Sequence, residues 1–204
     1  MSALTAFRTS ILALLSDASN AIFSMNDVDQ ALRWALGEYS QKRPLIRTYQ
    51  FSVDATTGVH TLPADFITRH ITKVELWNDD PDSIEDLAYY AYQRDEQWMV
   101  ETMYEVSAGE VLQISYSAVH TVDGLDAAAG TTVPAADEHL LHVGAAGRAA
   151  QMRALDRIET INMNPDVVKM YALLAADYLF FFAQFSTKEP GIYLVLPDFP
   201  NINP

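Results

Sequence analysis

The stretch YSQKRPLIRTYQFSVDATTGVHTLPADFITRH, residues 39–70, contains the change of pattern that decides the fold. It opens with the end of a predicted helix, where Lys42 and Arg43 suit the negative end of the helix dipole. Pro44 then removes the backbone donor that a further helical turn needs. The sequence therefore predicts that a helix stops abruptly at this proline.

Beyond the proline, the apolar spacing changes from the period of a helix to the period of a strand. Tyr49, Phe51 and Val53 alternate with polar residues, which is typical of a half-buried strand. A turn at residues 54–58 and a return strand follow, and Pro63 favours an extended conformation for the residue before it. The pattern thus predicts the start of a β-rich insertion.

Two amphipathic helices are predicted before the insertion. Residues 3–16 carry apolar side chains at helical spacing. A second helix is predicted to begin after Ser24, with Asp27 three residues on in the position of a capping box. The predicted buried face of this helix consists of Val28, Leu32, Ala35, Leu36 and Tyr39.

The insertion continues through a series of short segments. Residues 71–77, ITKVELW, alternate as a strand does. Residues 84–95, IEDLAYYAYQRD, show an apolar helical face and predict a short helix capped by Ser83. Residues 97–106 and 110–120 predict the strands that close the sheet.

A loop of small residues leads out of the insertion to a third helix. Pro134 is predicted as its first residue, with Asp137 and Glu138 in its first turn. Gly144 and Gly147 lie inside this helix, where each glycine costs about 1 kcal/mol relative to alanine. We therefore expect the two glycines to mark close packing against a neighbouring backbone.

A last long helix is predicted from Pro165 to about Phe185. The predicted fold class is α+β: a mainly helical bundle with a β-rich insertion and an extended C-terminal tail. The predicted organisation is a helical body of residues 1–46 and 121–186, a β-rich insertion of residues 47–120, and a C-terminal arm of residues 187–204.

The C-terminal arm combines prolines with an apolar, strand-like core at residues 192–196. Because so apolar a segment is unfavourable in water, it either folds back on its own domain or adds as a strand to another subunit. The hypothesis for partner binding rests on Ile192, Tyr193, Leu194, Val195, Leu196 and Phe199.

The chain is strongly acidic, with 27 Asp and Glu against 13 Lys and Arg and a formal charge of -14. Such a surface repels phosphate backbones, so sequence-specific binding of nucleic acid through a basic face is not expected. The chain has no cysteine, which excludes disulfides and thiolate chemistry and fits assembly in a reducing cytoplasm.

Two apolar segments of the sequence bear on membrane insertion or export. The most apolar window, residues 170–185, is shorter than the ~20 residues that span a bilayer and contains Asp177. Arg8 interrupts the first apolar run, and no charged region precedes it. We therefore expect a buried helix and no membrane partner.

The nearest approach to a metal motif is EHLLH, residues 138–142. Zinc-protease helices place two histidines four residues apart with a glutamate after the first, whereas His139 and His142 are three apart and Glu138 precedes them. Core or surface histidines are the favoured interpretation. Asp79, Asp80 and Asp82 lie close together in sequence, but a solvated turn is favoured over a calcium loop.

Sequence signatures of nucleotide binding and of serine hydrolases are absent. The sequence accordingly predicts no catalytic residues, no metal ligands and no cofactor, and a protein that is not an enzyme.

Three segments, taken in order, resemble the adaptor or head-completion proteins of tailed bacteriophages. The resemblance spans about residues 25–155. It consists of a helix ending in EYSQKRP, strands closed by LPADF, and a strand ending in YSAVH that is followed by TVPAADE at the start of the next helix.

This resemblance implies a head-to-tail connector: a homo-oligomeric ring of about a dozen copies beneath the portal. The helical body would dock on the portal protein, and the insertion and termini would contact neighbouring copies or a tail, stopper or nozzle protein. DNA would pass through the channel without specific binding. The implied location is the head–tail interface of the virion, after assembly in the cytoplasm of the bacterial host. The family supplies no catalytic residues.

Two alternatives stay open at this point. One is a tail-completion or terminator subunit that docks on the tail tube, which is structural as well. The other is a metal-dependent hydrolase associated with the tail, for which Glu138, His139 and His142 would be the centre.

Overall fold

The structure is a computed structural model that describes residues 2–19, 21–62, 71–77, 85–95, 97–158 and 165–186, with the backbone alone described at residues 157 and 158. The described residues form four α-helices and seven antiparallel strands. The α+β class predicted from the sequence is confirmed.

The chain divides into two compact units. One unit contains residues 1–44 and 119–204 and holds the helices; the other contains residues 45–118 and holds the strands. Each unit has its own cluster of buried apolar side chains. A separate core in each unit is typical of an inserted unit that has its own fold.

In the helical unit, α1 spans Leu4–Leu14 and α2 spans Met25–Lys42. The predicted capping box is present at the start of α2: the backbone N–H of Asp27 donates to the Ser24 side chain, and the backbone N–H of Ser24 donates to the Asp27 carboxylate. The helix ends before Pro44 as expected. Its buried face contains all five predicted residues, Val28, Leu32, Ala35, Leu36 and Tyr39.

The loop between α1 and α2 is organised by one buried carboxylate. Asp17 accepts hydrogen bonds from the backbone N–H groups of Ala21, Ile22 and Phe23, at 2.8–2.9 Å. These bonds, with that from Phe23 first, lower the pKa of Asp17 below its usual value because they favour the charged form. The carboxylate thereby takes the place of backbone partners that the loop lacks.

The third helix begins slightly later than the sequence predicts. Pro134 precedes a short 3-10 helix, Ala135–Asp137, and α3 follows as Glu138–Ile158. The last helix, α4, spans Pro165–Ser186 and packs against α3. The core of the helical unit lies among the buried faces of these helices.

The β unit contains two antiparallel sheets that share one apolar cluster. The sheet order is β1-β7-β3-β4 in one and β2-β6-β5 in the other. The strands are β1 Leu45–Ser52, β2 Thr57–Thr61, β3 Ile71–Trp77, β4 Glu85–Asp86, β5 Tyr89–Arg94, β6 Gln97–Val106 and β7 Val111–Ala118.

The first and last strands of this unit are paired along their whole length. Leu45 lies opposite Ala118 and Ser52 lies opposite Val111. The chain therefore enters and leaves the β unit at neighbouring positions, since paired residues of antiparallel strands lie about 5 Å apart. This is the geometry that allows a folded unit to be inserted between two helices.

Strand β3 departs from simple alternation. The register with β7 shifts between Ile71 and Lys73, and both Ile71 and Val74 are buried. In strict alternation these two residues would point to opposite faces. A β-bulge accounts for the change, because the extra residue moves the side chains that follow to the other face.

The prediction of a short helix at residues 84–95 is wrong. The structure places Glu85–Asp86 in β4 and Tyr89–Arg94 in β5, and β5 pairs with β6 from Tyr89 opposite Thr102 to Arg94 opposite Gln97. Tyrosine-rich segments favour strands when a partner strand is available, and β6 begins three residues after β5 ends. The proposed cap, Ser83, lies outside the described residues.

Candidate functional site

The six residues predicted to bind a partner, Ile192, Tyr193, Leu194, Val195, Leu196 and Phe199, lie outside the described residues. The described part of the chain instead offers two exposed apolar faces, one in each unit, and one polar cluster at the end of α2. None of these was identified from the sequence as a site.

The first exposed face lies on α4. This helix buries Tyr171, Ala175 and Phe182 but leaves large apolar side chains in solvent on another side. Spacings of three, seven and one residues place these exposed side chains in one stripe. They are Met170 at 55%, Leu173 at 66%, Phe180 at 70% and Phe181 at 37% exposure.

The packing of α3 on α4 fixes the orientation of this stripe. A Cβ atom at Gly144 would lie 2.6 Å from the Phe182 ring, and one at Gly147 would lie 2.9 Å from Cβ of Tyr178. At Gly147 the backbone nitrogen of Leu179 is also within 3.1 Å of that position. The close approach predicted from the two glycines is confirmed, because side chains there would separate the helices.

The second exposed face lies on the three-stranded sheet of the β unit. Val59 and Tyr90 flank Glu101 across the three strands, and Thr61 and Tyr92 flank Met99 in the same way. Met103 follows Glu101 by two residues and therefore lies on the same face. The exposed fraction is 68% for Tyr90 and 62% for Met103.

This second face carries one charge of each sign among its apolar side chains at the positions named here: Glu101 on β6 and, two residues after Tyr92 on β5, Arg94. The opposite face of the same sheet buries His60, Val100 and Thr102. The sequence does not predict the exposed face, because β6 carries apolar residues on both of its sides. Its alternation therefore does not indicate which side faces solvent.

A polar cluster holds the end of α2 against the start of α3. The Tyr39 hydroxyl donates to the Asp137 carboxylate at 2.6 Å, and Arg43 Nη1 donates to both oxygens of that carboxylate at 3.0 Å. Burial, together with the hydrogen bond to Asp137, raises the pKa of Tyr39. The tyrosine therefore acts as a neutral donor in this cluster and supplies no base.

His120 is engaged by backbone groups on both sides of its ring. Nε2 lies 3.1 Å from the Arg43 carbonyl, and Nδ1 lies 3.1 Å from the Thr132 carbonyl and 3.2 Å from the Thr132 hydroxyl. Burial lowers its pKa and so favours the neutral ring. A ring that donates from Nε2 to Arg43 and accepts the Thr132 hydroxyl at Nδ1 satisfies both nitrogens.

A cavity of about 270 Å³ lies beside His120 in the helical unit. Its walls include Leu36, Val122 and Leu125, together with the Arg33–Asp126 ion pair. Both ring nitrogens of His120 already have partners, so the histidine has none left to act on a molecule in the cavity. The cavity therefore offers no free histidine nitrogen.

The residues of the alternative metal-dependent hydrolase site contact other groups. Glu138 accepts hydrogen bonds from the backbone N–H and the hydroxyl of Ser2, which hold its pKa below the usual value. His142 packs edge-on against Phe7, with ring centroids 4.7 Å apart, and burial lowers its pKa. Among the described residues no group of three or more His, Cys, Asp or Glu could hold a metal ion. Asp79, Asp80 and Asp82 lie outside that part of the chain.

Within the described ranges, every helix is too short or too polar to cross a bilayer.

No protein-family model matches the sequence, and no curated protein matches it. Among solved structures, the chain is similar to one from the neck of an empty gene transfer agent particle computed with C6 symmetry. The match covers 82% of this chain and 87% of that chain, with 12% sequence identity and a TM-score of 0.28. It is a weak structural likeness.

Proposed function

We propose that this chain is a non-enzymatic structural subunit of a tailed-phage particle, an adaptor that joins the head to the tail. In this proposal the subunits form a homo-oligomeric ring beneath the portal, of about a dozen copies, through which DNA passes. The partners are the portal protein on one side and a tail, stopper or nozzle protein on the other. The proposed location is the head–tail interface of the virion.

The exposed face of the three-stranded sheet is the observation that carries this proposal. It presents Tyr90, Tyr92, Met99 and Met103 around the Glu101 carboxylate, with Arg94 at its end. Tyrosine and methionine are enriched in the buried centres of protein interfaces, where charged residues are depleted. A contiguous apolar surface of this kind favours a protein partner over a catalytic role, which needs convergent polar groups.

A ring subunit needs two different contact surfaces, because a heterologous interface joins one patch to a different patch of the next copy. The exposed faces of the three-stranded sheet and of α4 carry different residues, as this kind of contact requires. In the proposed particle, the exposed face of the three-stranded sheet contacts another protein subunit.

The charge of the chain supports passage of DNA without retention. Each basic contact with a phosphate would release counterions and add to binding, which would slow the moving DNA. A formal charge of -14 per copy makes such contacts rare. The order of the sequence segments that resembles phage adaptors, over about residues 25–155, supports the same role.

In this proposal the C-terminal arm, residues 187–204, contacts a neighbouring copy or the next tail protein, while the helical body docks on the portal. The arm residues Ile192, Tyr193, Leu194, Val195, Leu196 and Phe199 supply apolar side chains to a strand-like segment. An extended segment of this type binds by adding to a sheet edge or by filling a groove. Deleting residues 187–204 should therefore spare the helical circular-dichroism signal and abolish incorporation into particles.

The proposal is tested by light scattering of the chain alone and after mixing with the portal ring of the same particle. A large stoichiometric complex is expected. A chain that ignores the portal but binds the tail tube would contradict the adaptor role and favour a tail-completion subunit. Tightly bound metal with hydrolytic activity would contradict the non-enzymatic role.

A matched pair of variants tests the face of the sheet. The double variant Tyr90→Glu with Met103→Glu adds charge at exposed positions and should fold normally but fail to form the complex. The control Ala55→Glu adds charge at an exposed turn of the same unit and should assemble as the parent does. Equal assembly of the double variant would overturn the assignment of this face.

A further inference from the structure

The exposed stripe on α4 requires an explanation in the free chain. Met170, Leu173, Phe180 and Phe181 are separated along the helix by at most ~17 Å, at 1.5 Å per residue. The helix ends at Ser186, so the stripe leads directly to the start of the C-terminal arm. Apolar surface of this size is normally covered in soluble proteins.

The sequence of the arm matches the stripe in pattern and in length. Pro190 and Gly191 form a dipeptide that favours a reversal of the chain just beyond the helix. Ile192, Leu194 and Leu196 then follow at every second position, so an extended segment presents them on one side. In an extended chain the distance from Ile192 to Leu196 is about 13 Å, which is close to the length of the stripe.

The charges agree with an antiparallel arrangement. Lys169 is the one basic residue in the sequence of α4, and it is exposed at the end of the stripe farthest from Ser186. In an extended segment that runs back from a reversal near residue 190, Asp198 reaches the level of Lys169. An arm in that arrangement would bring a carboxylate beside the ammonium group of Lys169.

We propose that in the free chain residues 192–198 lie antiparallel over the exposed stripe of α4 of the same molecule. The occupant is the chain's own arm because a segment joined directly to the helix has a high effective concentration at the stripe. The proposal concerns the free chain and does not depend on the proposed function.

The absence of cysteine allows a clean cross-linking experiment on the full chain. The double variant Leu173→Cys with Leu196→Cys places both thiols at the proposed contact, and Leu173 is an exposed position whose replacement leaves the core intact. Under mild oxidation at low protein concentration, we expect a disulfide within one molecule, detected by mass spectrometry after proteolysis without reduction.

The control pairs Leu196→Cys with Gln30→Cys, an exposed position on α2. This pair should keep free thiols under the same conditions. Disulfide-linked dimers of the Leu173→Cys variant would show that a second copy covers the stripe and would overturn the proposal. Free thiols in both variants would overturn it as well, because the arm would then lie elsewhere.

The charge pairing has its own test in the rate of cross-linking. Lys169→Glu should slow disulfide formation about two- to fivefold, the range expected for one exposed ion pair. Adding Asp198→Lys to this variant should restore the rate, since the two charges are exchanged. Unchanged rates in all three backgrounds would contradict the proposed register of the arm on α4.

Discussion

Gly144 and Gly147 show how single residues set the approach of two helices. The absent side chains leave room for Phe182 over the first glycine and for Tyr178 and Leu179 over the second. Alanine would be favoured at both positions by helix propensity alone. The two glycines are therefore explained by packing against α4. Their effect on stability can be measured separately from the effect of helix propensity.

We expect Gly144→Ala and Gly147→Ala each to destabilise the chain by about 1–2 kcal/mol, because overpacking costs more than the gain in propensity. Gly37→Ala in α2 is the matched control, since a Cβ there meets nothing within 4 Å. That variant should be more stable by about 1 kcal/mol. Urea unfolding measures all three, and a stabilised Gly147→Ala variant would disprove the close contact.

Buried histidines make the stability of both units depend on pH. Burial lowers the pKa of His60, His120 and His142 in the folded state. The unfolded chain, with histidine pKa values near 6.5, then binds more protons than the folded chain as the pH falls below about 6.5. Stability is therefore full above that pH and declines progressively below it.

The variant His142→Gln should reduce the loss of thermal stability between pH 7.5 and pH 5.5, because one of the three groups is removed. His139→Gln, at an exposed position on the same helix, controls for the loss of a histidine. Thermal unfolding followed by circular dichroism provides the comparison. An identical decline in the His142→Gln variant and the parent would rule out this linkage.

At the scale of elements, one carboxylate connects α2 to the start of α3. Asp137 accepts bonds from Tyr39 and Arg43, whose side chain is only 12% exposed. Removal of the Asp137 carboxylate would leave the Tyr39 hydroxyl without this acceptor and the partly buried Arg43 guanidinium without this counter-charge. Such losses are expensive because the remaining groups stay desolvated.

We expect Asp137→Asn to destabilise the chain by about 2–4 kcal/mol. Asp126→Asn breaks the Arg33–Asp126 pair, whose side chains are 43% and 60% exposed, and should cost less than about 1 kcal/mol. Denaturant unfolding of the two variants tests the difference. Equal losses would mean that burial does not set the strength of these pairs.

At the scale of the whole molecule, the chain consists of a helical unit interrupted by a β unit whose ends are paired. Because Leu45 lies opposite Ala118, a short linker can replace everything between them. His120 bonds to Ser40 and Arg43 within the helical unit, so these contacts survive the replacement. The helical unit should accordingly fold without the strands.

The corresponding experiment joins Pro44 to Val119 through about four Gly and Ser residues. We expect a strong helical circular-dichroism signal and cooperative thermal unfolding. As a control, the same linker in place of residues 119–132 removes Val122 and Leu125 from the helical core and should prevent folding. A chain without residues 45–118 that does not fold would show that the helices depend on the β unit.

Local signals in the sequence determined the α+β class, the capping box of α2, the stop at Pro44 and the meaning of the two helical glycines. Each of these depends on neighbouring residues or on backbone propensity, which a single sequence carries. The tertiary structure alone decided that residues 89–94 form a strand, because the apolar spacing suited a helix and only pairing with β6 selects the extended form. It also decided which apolar residues of α4 and of the three-stranded sheet stay in solvent. Burial depends on which faces other elements cover, and no local pattern contains that information.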